Sequence, residues 1–178
     1  DIDSVENISL PFEEFMEKLI KLTERMKCPL SIIFITAAPI SDTARYSTEN
    51  LRGLQESISD NLLKKSKNLL RTTDILVSNN TNDILAVLPD TNAKGAHTVL
   101  QKIISGIGKD LKPAGIDFNS LFYSVNVTFP DEGTDFNSLM ESAFKKISHR
   151  ETLNKIASIP VNTLKNAKKR YNQFNRWF

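Results

Sequence analysis

The stretch "RTTDILVSNNTNDILAVLPDT", residues 71–91, decides how this chain is read. Two β-rich apolar segments, Ile75–Ser78 and Asp83–Leu88, are joined by a polar run of Asn79, Asn80, Thr81 and Asn82. Asn enters turns and left-handed backbone readily, so the pattern predicts an antiparallel hairpin. Pro89 and Asp90 close the second strand, because Pro has no N–H to give to a ladder.

The flanks extend this reading. Upstream, Leu51, Leu54, Ile58, Leu62 and Leu69 recur at helical spacing. Before them, "PLSIIFIT" (Pro29 to Thr36) is a continuous apolar run suited to a central strand buried on both faces. The intervening "AAPISDTARYSTEN" reads as a loop with a short turn of helix. Phe12, Phe15, Met16, Leu19, Leu22 and Met26 mark a first helix entered through Pro11. Downstream, Ala96, Val99, Leu100, Ile103, Ile104 and Ile107 form an amphipathic stripe. "LFYSVNVTF" (Leu121 to Phe129) is a further strand. Phe136, Leu139, Met140, Ala143, Phe144 and Ile147 then share one helical face, with Thr134 or Asp135 as cap. This order predicts an α/β (α+β) layer fold with a central mixed sheet covered by helices. One domain is expected over residues 1–150. A basic, aromatic helical extension follows over 151–178, with Lys168, Lys169, Arg170, Tyr171, Phe174, Arg176 and Trp177.

Composition narrows the function classes. The chain has 178 residues, 40% apolar and 25% charged, with a net charge of +2, which suits one ordinary soluble core. So small a net charge demands neither nucleic acid nor an acidic surface as partner. Cys28 stands alone and closes no internal disulfide, so a reducing, cytoplasmic setting is expected. No apolar run reaches the length of a membrane span, and no signal-peptide pattern opens the chain. A chain opening at Asp1 rather than Met is expected to be the cytosolic part of a larger or membrane-anchored protein. His97 and His149 lack Cys or acidic partners at metal-ligand spacing and read as surface residues, so no metal and no cofactor is expected.

Four landmarks together resemble the GGDEF family of diguanylate cyclases, over nearly the whole chain up to about residue 148. "DIDSVENISLPF" stands where the family opens, keeping Asp1 and Phe12 at the two ends. "PLSIIFIT" matches the first strand. Residues 71–91 match R-x-x-D-x-x-x-R-Y-G-G-D-E-F-x-x-x-L-P-x-T without a gap, and "SVNVTFPDEGTDFNSLMESAFKKI" matches the closing strand and helix. The resemblance implies a nucleotidyl-cyclase-like fold, with a central, mostly antiparallel sheet of about five strands carrying helices on both faces.

It also implies a degenerate active site. The two signature glycines, which bring backbone close to nucleotide, are replaced by Asn80 and Thr81. The two signature acids become Asn82 and Asp83, and Thr36 stands where the family carries its other metal carboxylate. A neutral amide and a hydroxyl are poor ligands for the hard divalent cations that phosphoryl transfer needs. Asp83 and the loop residue Asp42 are a thin substitute, so the chain reads as catalytically inactive.

Arg71 and Asp74 keep the register of the family's inhibitory R-x-x-D, which implies a cyclic di-GMP site of the kind retained by the inactive receptors of the Pel exopolysaccharide system. A guanidinium fork bonds guanine O6 and N7 and stacks on a purine, and a carboxylate accepts from guanine N1–H and its amine. Lys102, off the apolar stripe of its helix, falls where the family places a further basic group. The partners implied are cyclic di-GMP and a protein or neighbouring domain that reads the bound state, with a homodimer as a further option. Two alternatives stay open. One is an inert structural Arg–Asp pair in a scaffold or dimerisation module, with Phe129, Phe174 and Trp177 on its surface. The other is a divergent nucleotide-binding module using Asn79, Asn80, Asn82 and Asp83.

Overall fold

The strand spanning Leu30–Ala37 (β1) is buried at every position but its last. Alternate side chains leave opposite faces of a strand, and both of its faces are apolar. Leu30, Ile32 and Phe34 join one cluster of buried side chains, Ile33 and Ile35 a second on the other side. The computed structural model describes residues 11–78 and 83–153. Around β1 it places α1 (Phe12–Arg25), α2 (Thr48–Leu69), β2 (Ile75–Ser78), β3 (Ile84–Pro89), α3 (Ala93–Leu111), α4 (Phe118–Leu121), β4 (Phe122–Phe129) and α5 (Phe136–Leu153).

The sheet order is β2-β3-β1-β4. β1 runs antiparallel to β3, with Ile33 opposite Ala86, and antiparallel to β4, with Ile33 opposite Asn126. β2 and β3 form the expected hairpin, Ile75 facing Val87 and Ser78 facing Ile84. Two expectations are corrected. The described residues hold four strands rather than about five, and every pairing among them is antiparallel. Only four runs in this span have strand character. The apolar positions after β4 repeat with a helical period and form α5. The loop after β1 also forms no helical turn. Asp42 instead accepts bonds from the Thr48 N–H at 2.6 Å and the Thr48 hydroxyl at 2.7 Å, and the Tyr46 hydroxyl donates to Ala114 O at 2.5 Å.

Helices cover both faces of the sheet. α1 and α5 pack on the Phe34 side, where Phe34 meets Phe144 edge-on at 5.8 Å and Phe12 meets Phe136 at 5.5 Å. α2 and α3 pack on the Ile33 side through Leu51, Ile58, Leu62, Leu100, Ile103 and Ile107. Burying each such side chain contributes roughly 1.5–3 kcal/mol. Side-chain caps set the helix starts: Ser47 accepts from Asn50 N–H at 3.2 Å, and Asn92 from Gly95 N–H at 2.9 Å. Asp135 accepts from Ser138 N–H at 2.7 Å, which selects Asp135 over Thr134 as the cap of α5.

Among the described residues β4 is an edge strand, and side chains of α5 reach its backbone. Lys146 Nζ donates to Asn126 O at 2.6 Å, Arg150 Nη1 donates to Ser124 O, and Glu132 pairs with Lys146 while accepting Thr128 N–H at 2.7 Å.

Candidate functional site

α2 ends at Leu69, and Leu70 turns extended (φ −88°, ψ 150°). The next four residues close a turn at both ends. Asp74 N–H donates to Arg71 O at 3.0 Å, and Arg71 N–H donates to Asp74 Oδ2 at 2.8 Å. This is the behaviour that makes Asp a turn residue: a short side chain satisfies nearby backbone. The same carboxylate takes the Arg71 guanidinium, with Nη2 at 3.2 Å from Oδ1 and Nε at 3.5 Å from Oδ2.

Arg71 reaches further. Its Nη2 donates to Pro89 O at 2.9 Å and Thr91 Oγ1 at 2.6 Å, tying the start of β2 to the turn that follows β3. The pair differs sharply in exposure. The Arg71 side chain is 56% exposed and the Asp74 side chain 3%. Nη1 of Arg71 makes no hydrogen bond among the described residues. The guanidinium is therefore held in one orientation with one amino group uncommitted and the side chain still half exposed.

This open edge belongs to a surface depression of about 350 Å³, lined in part by Arg71, Asp74, Asp90, Thr91, Gly95 and Val99. Asp90 is exposed there, with a left-handed backbone (φ 48°). Sequence reasoning did not single out Asp90 or Thr91. The available signal was the β2–β3 hairpin itself, which brings the residue after β3 beside the residue before β2. Lys102 is exposed on α3, three residues beyond Val99, so it shares that side of the helix one turn further along without lining the depression.

The second set of predicted residues is partly described. Asn80, Thr81 and Asn82, with Asn79, lie outside the described residues. Thr36 and Asp83 meet at the end of β1: the Thr36 hydroxyl donates to Asp83 Oδ1 at 2.7 Å, with the residues 2% and 0% exposed. A donating hydroxyl occupies a lone pair that a cation would otherwise use. Asp42 is engaged by Thr48, whose side-chain and backbone hydrogen bonds pull the Asp42 carboxyl below its ordinary value of 3.8. His97 and His149 are exposed, Cys28 is a half-buried free thiol, and no group of three or more His, Cys, Asp or Glu able to hold a metal occurs among the described residues. No described helix is long and apolar enough to cross a membrane. Of the extension, Leu153 is the last described residue, so Phe174 and Trp177 lie outside.

Neither a family model nor a curated protein matches this chain by sequence. Solved structures do. The GGDEF domain of YfiN (TpbB) from Pseudomonas aeruginosa superposes with a TM-score of 0.59 at 12% identity, over 80% of this chain and 88% of that one. The chain has the GGDEF-domain fold. The GGDEF domain of FimX from the same organism gives 0.55 at 10% identity, over 76% of this chain and 83% of that domain. PelD from Pseudomonas aeruginosa, solved in complex with c-di-GMP, gives 0.52 at 15% identity, over 82% of this chain and 48% of that one. The GGDEF fold is thus reached at identities where a superposition speaks for the backbone alone.

Proposed function

We propose that this GGDEF-like domain is a catalytically inactive receptor for cyclic di-GMP, binding it at the Arg71–Asp74 turn and regulating a partner or neighbouring domain. The observation that carries the reading is the state of Arg71. Three acceptors hold its guanidinium, yet it stays half exposed in a depression with Nη1 uncommitted. A pre-oriented planar fork gives up little freedom on meeting a purine and can both bond and stack. Asp74 fixes that orientation. Lys102, one helical turn away, adds a positive charge within the reach of a phosphate.

Support for inactivity comes from the end of β1. There, Thr36 hydrogen-bonds the enclosed Asp83 where the resemblance calls for a second metal carboxylate. Bound nucleotide would act by favouring one docking state of the domain over another, a differential affinity between two states.

Titration calorimetry with cyclic di-GMP, on the wild type and on Arg71→Ala, tests the proposal. Binding that Arg71→Ala weakens at least about tenfold, as loss of a bidentate purine contact requires, supports it. Equal binding by both moves the ligand elsewhere. Incubation with GTP and magnesium or manganese should yield no cyclic di-GMP; steady multiple turnover would overturn the inactive reading. One observation favours a second reading, a non-binding scaffold: the Arg71–Asp74 pair is already complete without a ligand, with the Asp74 side chain almost fully enclosed. Absence of binding at high micromolar ligand would select it.

A further inference from the structure

The R-x-x-D pattern assigns one carboxylate to Asp74, but the depression holds two, and they differ in what they have left to offer. Asp74 is 3% exposed in its side chain, and both its oxygens accept from Arg71. Asp90 is exposed, lines the same depression, and its carboxylate has no hydrogen bond or ion pair among the described residues. Its place is well defined. Arg71 Nη2 grips the backbone oxygen of Pro89 on one side of Asp90 and the hydroxyl of Thr91 on the other. The turn carrying Asp90 is thus bolted to the residue that presents the free Nη1 edge. Even so, the Asp90 carboxylate stays beyond the 4.0 Å of an ion pair with that guanidinium, so a gap separates donor from acceptor.

From this we infer that Asp90, rather than Asp74, is the specificity-determining carboxylate of the site, accepting the N1–H and exocyclic amine of guanine while Arg71 Nη1 donates to O6 or N7. The inference rests on the receptor reading above and sharpens it. Guanine offers an acceptor edge beside a two-donor edge, and the depression offers an uncommitted donor beside an uncommitted two-oxygen acceptor. Adenine presents the unprotonated N1 where guanine presents N1–H, and would set that lone pair against the carboxylate. In this arrangement Asp74 is a positioning residue that acts through Arg71.

The test compares cyclic di-GMP with cyclic di-IMP, whose hypoxanthine lacks only the exocyclic amine, by calorimetry on the same chain. Asp90→Asn is the main variant, because Asn tolerates the left-handed backbone at this position. Asp90→Gly, which relaxes that backbone, controls for strain. The wild type is expected to bind the guanine ligand roughly tenfold or more tightly than the inosine ligand, the worth of one hydrogen bond to a charged acceptor. Both Asp90 variants should bind cyclic di-GMP weakly and lose that preference, with thermal unfolding midpoints no lower than that of the wild type. A guanine preference that survives Asp90→Asn and Asp90→Gly overturns the assignment, as does a wild type indifferent to the amine. A wild type that binds neither ligand overturns the receptor reading and this inference with it. Binding that persists without amine dependence overturns this inference alone.

Discussion

Replacing Asp74 with Ala removes one carboxylate and severs two kinds of bond whose worth the structure separates. The first is the acceptance of Arg71 N–H by Oδ2 at 2.8 Å, a backbone donor on a charged acceptor with the side chain 3% exposed. Such a bond contributes about 1.5–3 kcal/mol, and in this exposed turn only water can take its place once the carboxylate is gone. The second is the guanidinium contact at 3.2 Å. Its Arg71 partner is 56% exposed and regains water on release, so this contact is discounted to about 0.5 kcal/mol. The two together predict a loss of about 2–3.5 kcal/mol. In a chain of this length, that lowers the unfolding midpoint by roughly 4–14 °C. Urea and thermal unfolding followed by circular dichroism read both numbers. Arg71→Lys isolates the fork, since it keeps the backbone N–H bond, and should cost about 1 kcal/mol or less. A loss below about 1 kcal/mol for Asp74→Ala, or equal losses for the two variants, would refute the claim that Asp74 acts chiefly on the backbone of the turn.

Three further outcomes are expected. Thr36→Val removes a hydroxyl that donates to the enclosed Asp83 and should cost about 2 kcal/mol by chemical denaturation, whereas the same change at the exposed Thr98 should cost little. The Ser138 N–H and hydroxyl lower the Asp135 carboxyl from 3.8. Its contribution is therefore complete above the ordinary carboxylate range and lost as pH falls through the lowered value; Asp135→Asn, which keeps the cap, should flatten that acid limb in a stability–pH profile. Lys102→Ala should weaken cyclic di-GMP binding less than Arg71→Ala does, and its effect should shrink as salt is raised, since an exposed charge is screened. A salt-independent loss would place Lys102 in direct contact with the ligand.

The strands and helices were legible because their periods are unambiguous. "SIIF" has no polar interruption, and a strand without alternation must be covered twice, as β1 is. The hairpin followed from turn chemistry, but its register did not. The strand number did not, since it came from the family pattern and not from a run of β-rich residues in this chain. The short α4 also escaped notice: "FNSL" is too brief to show a period and is held by Phe118 stacking on Phe122 at 5.2 Å. At the site, Arg71 and Asp74 were visible as a spacing, but their unequal exposure was not. The guanidinium that covers Asp74 is itself held by Pro89 and Thr91, a long-range consequence no local pattern carries. Asp90 was hidden for the same reason. In one dimension it is a strand terminator nineteen residues from Arg71, and only pairing of β2 with β3 makes them neighbours.

The side chains that α5 lays over β4 bear on how the molecule behaves in a crowd. A β-sheet ends in a row of unspent backbone groups, and eight residues of such a row would template another chain. Lys146 and Arg150 take up the carbonyls of Asn126 and Ser124, so an incoming strand would have to evict two cations before it found a partner. The strand edge is thus guarded by a lysine and an arginine on a helix rather than by the strand itself. Chemistry that neutralises lysine, such as acetylation, would reach half of that guard without touching the sheet.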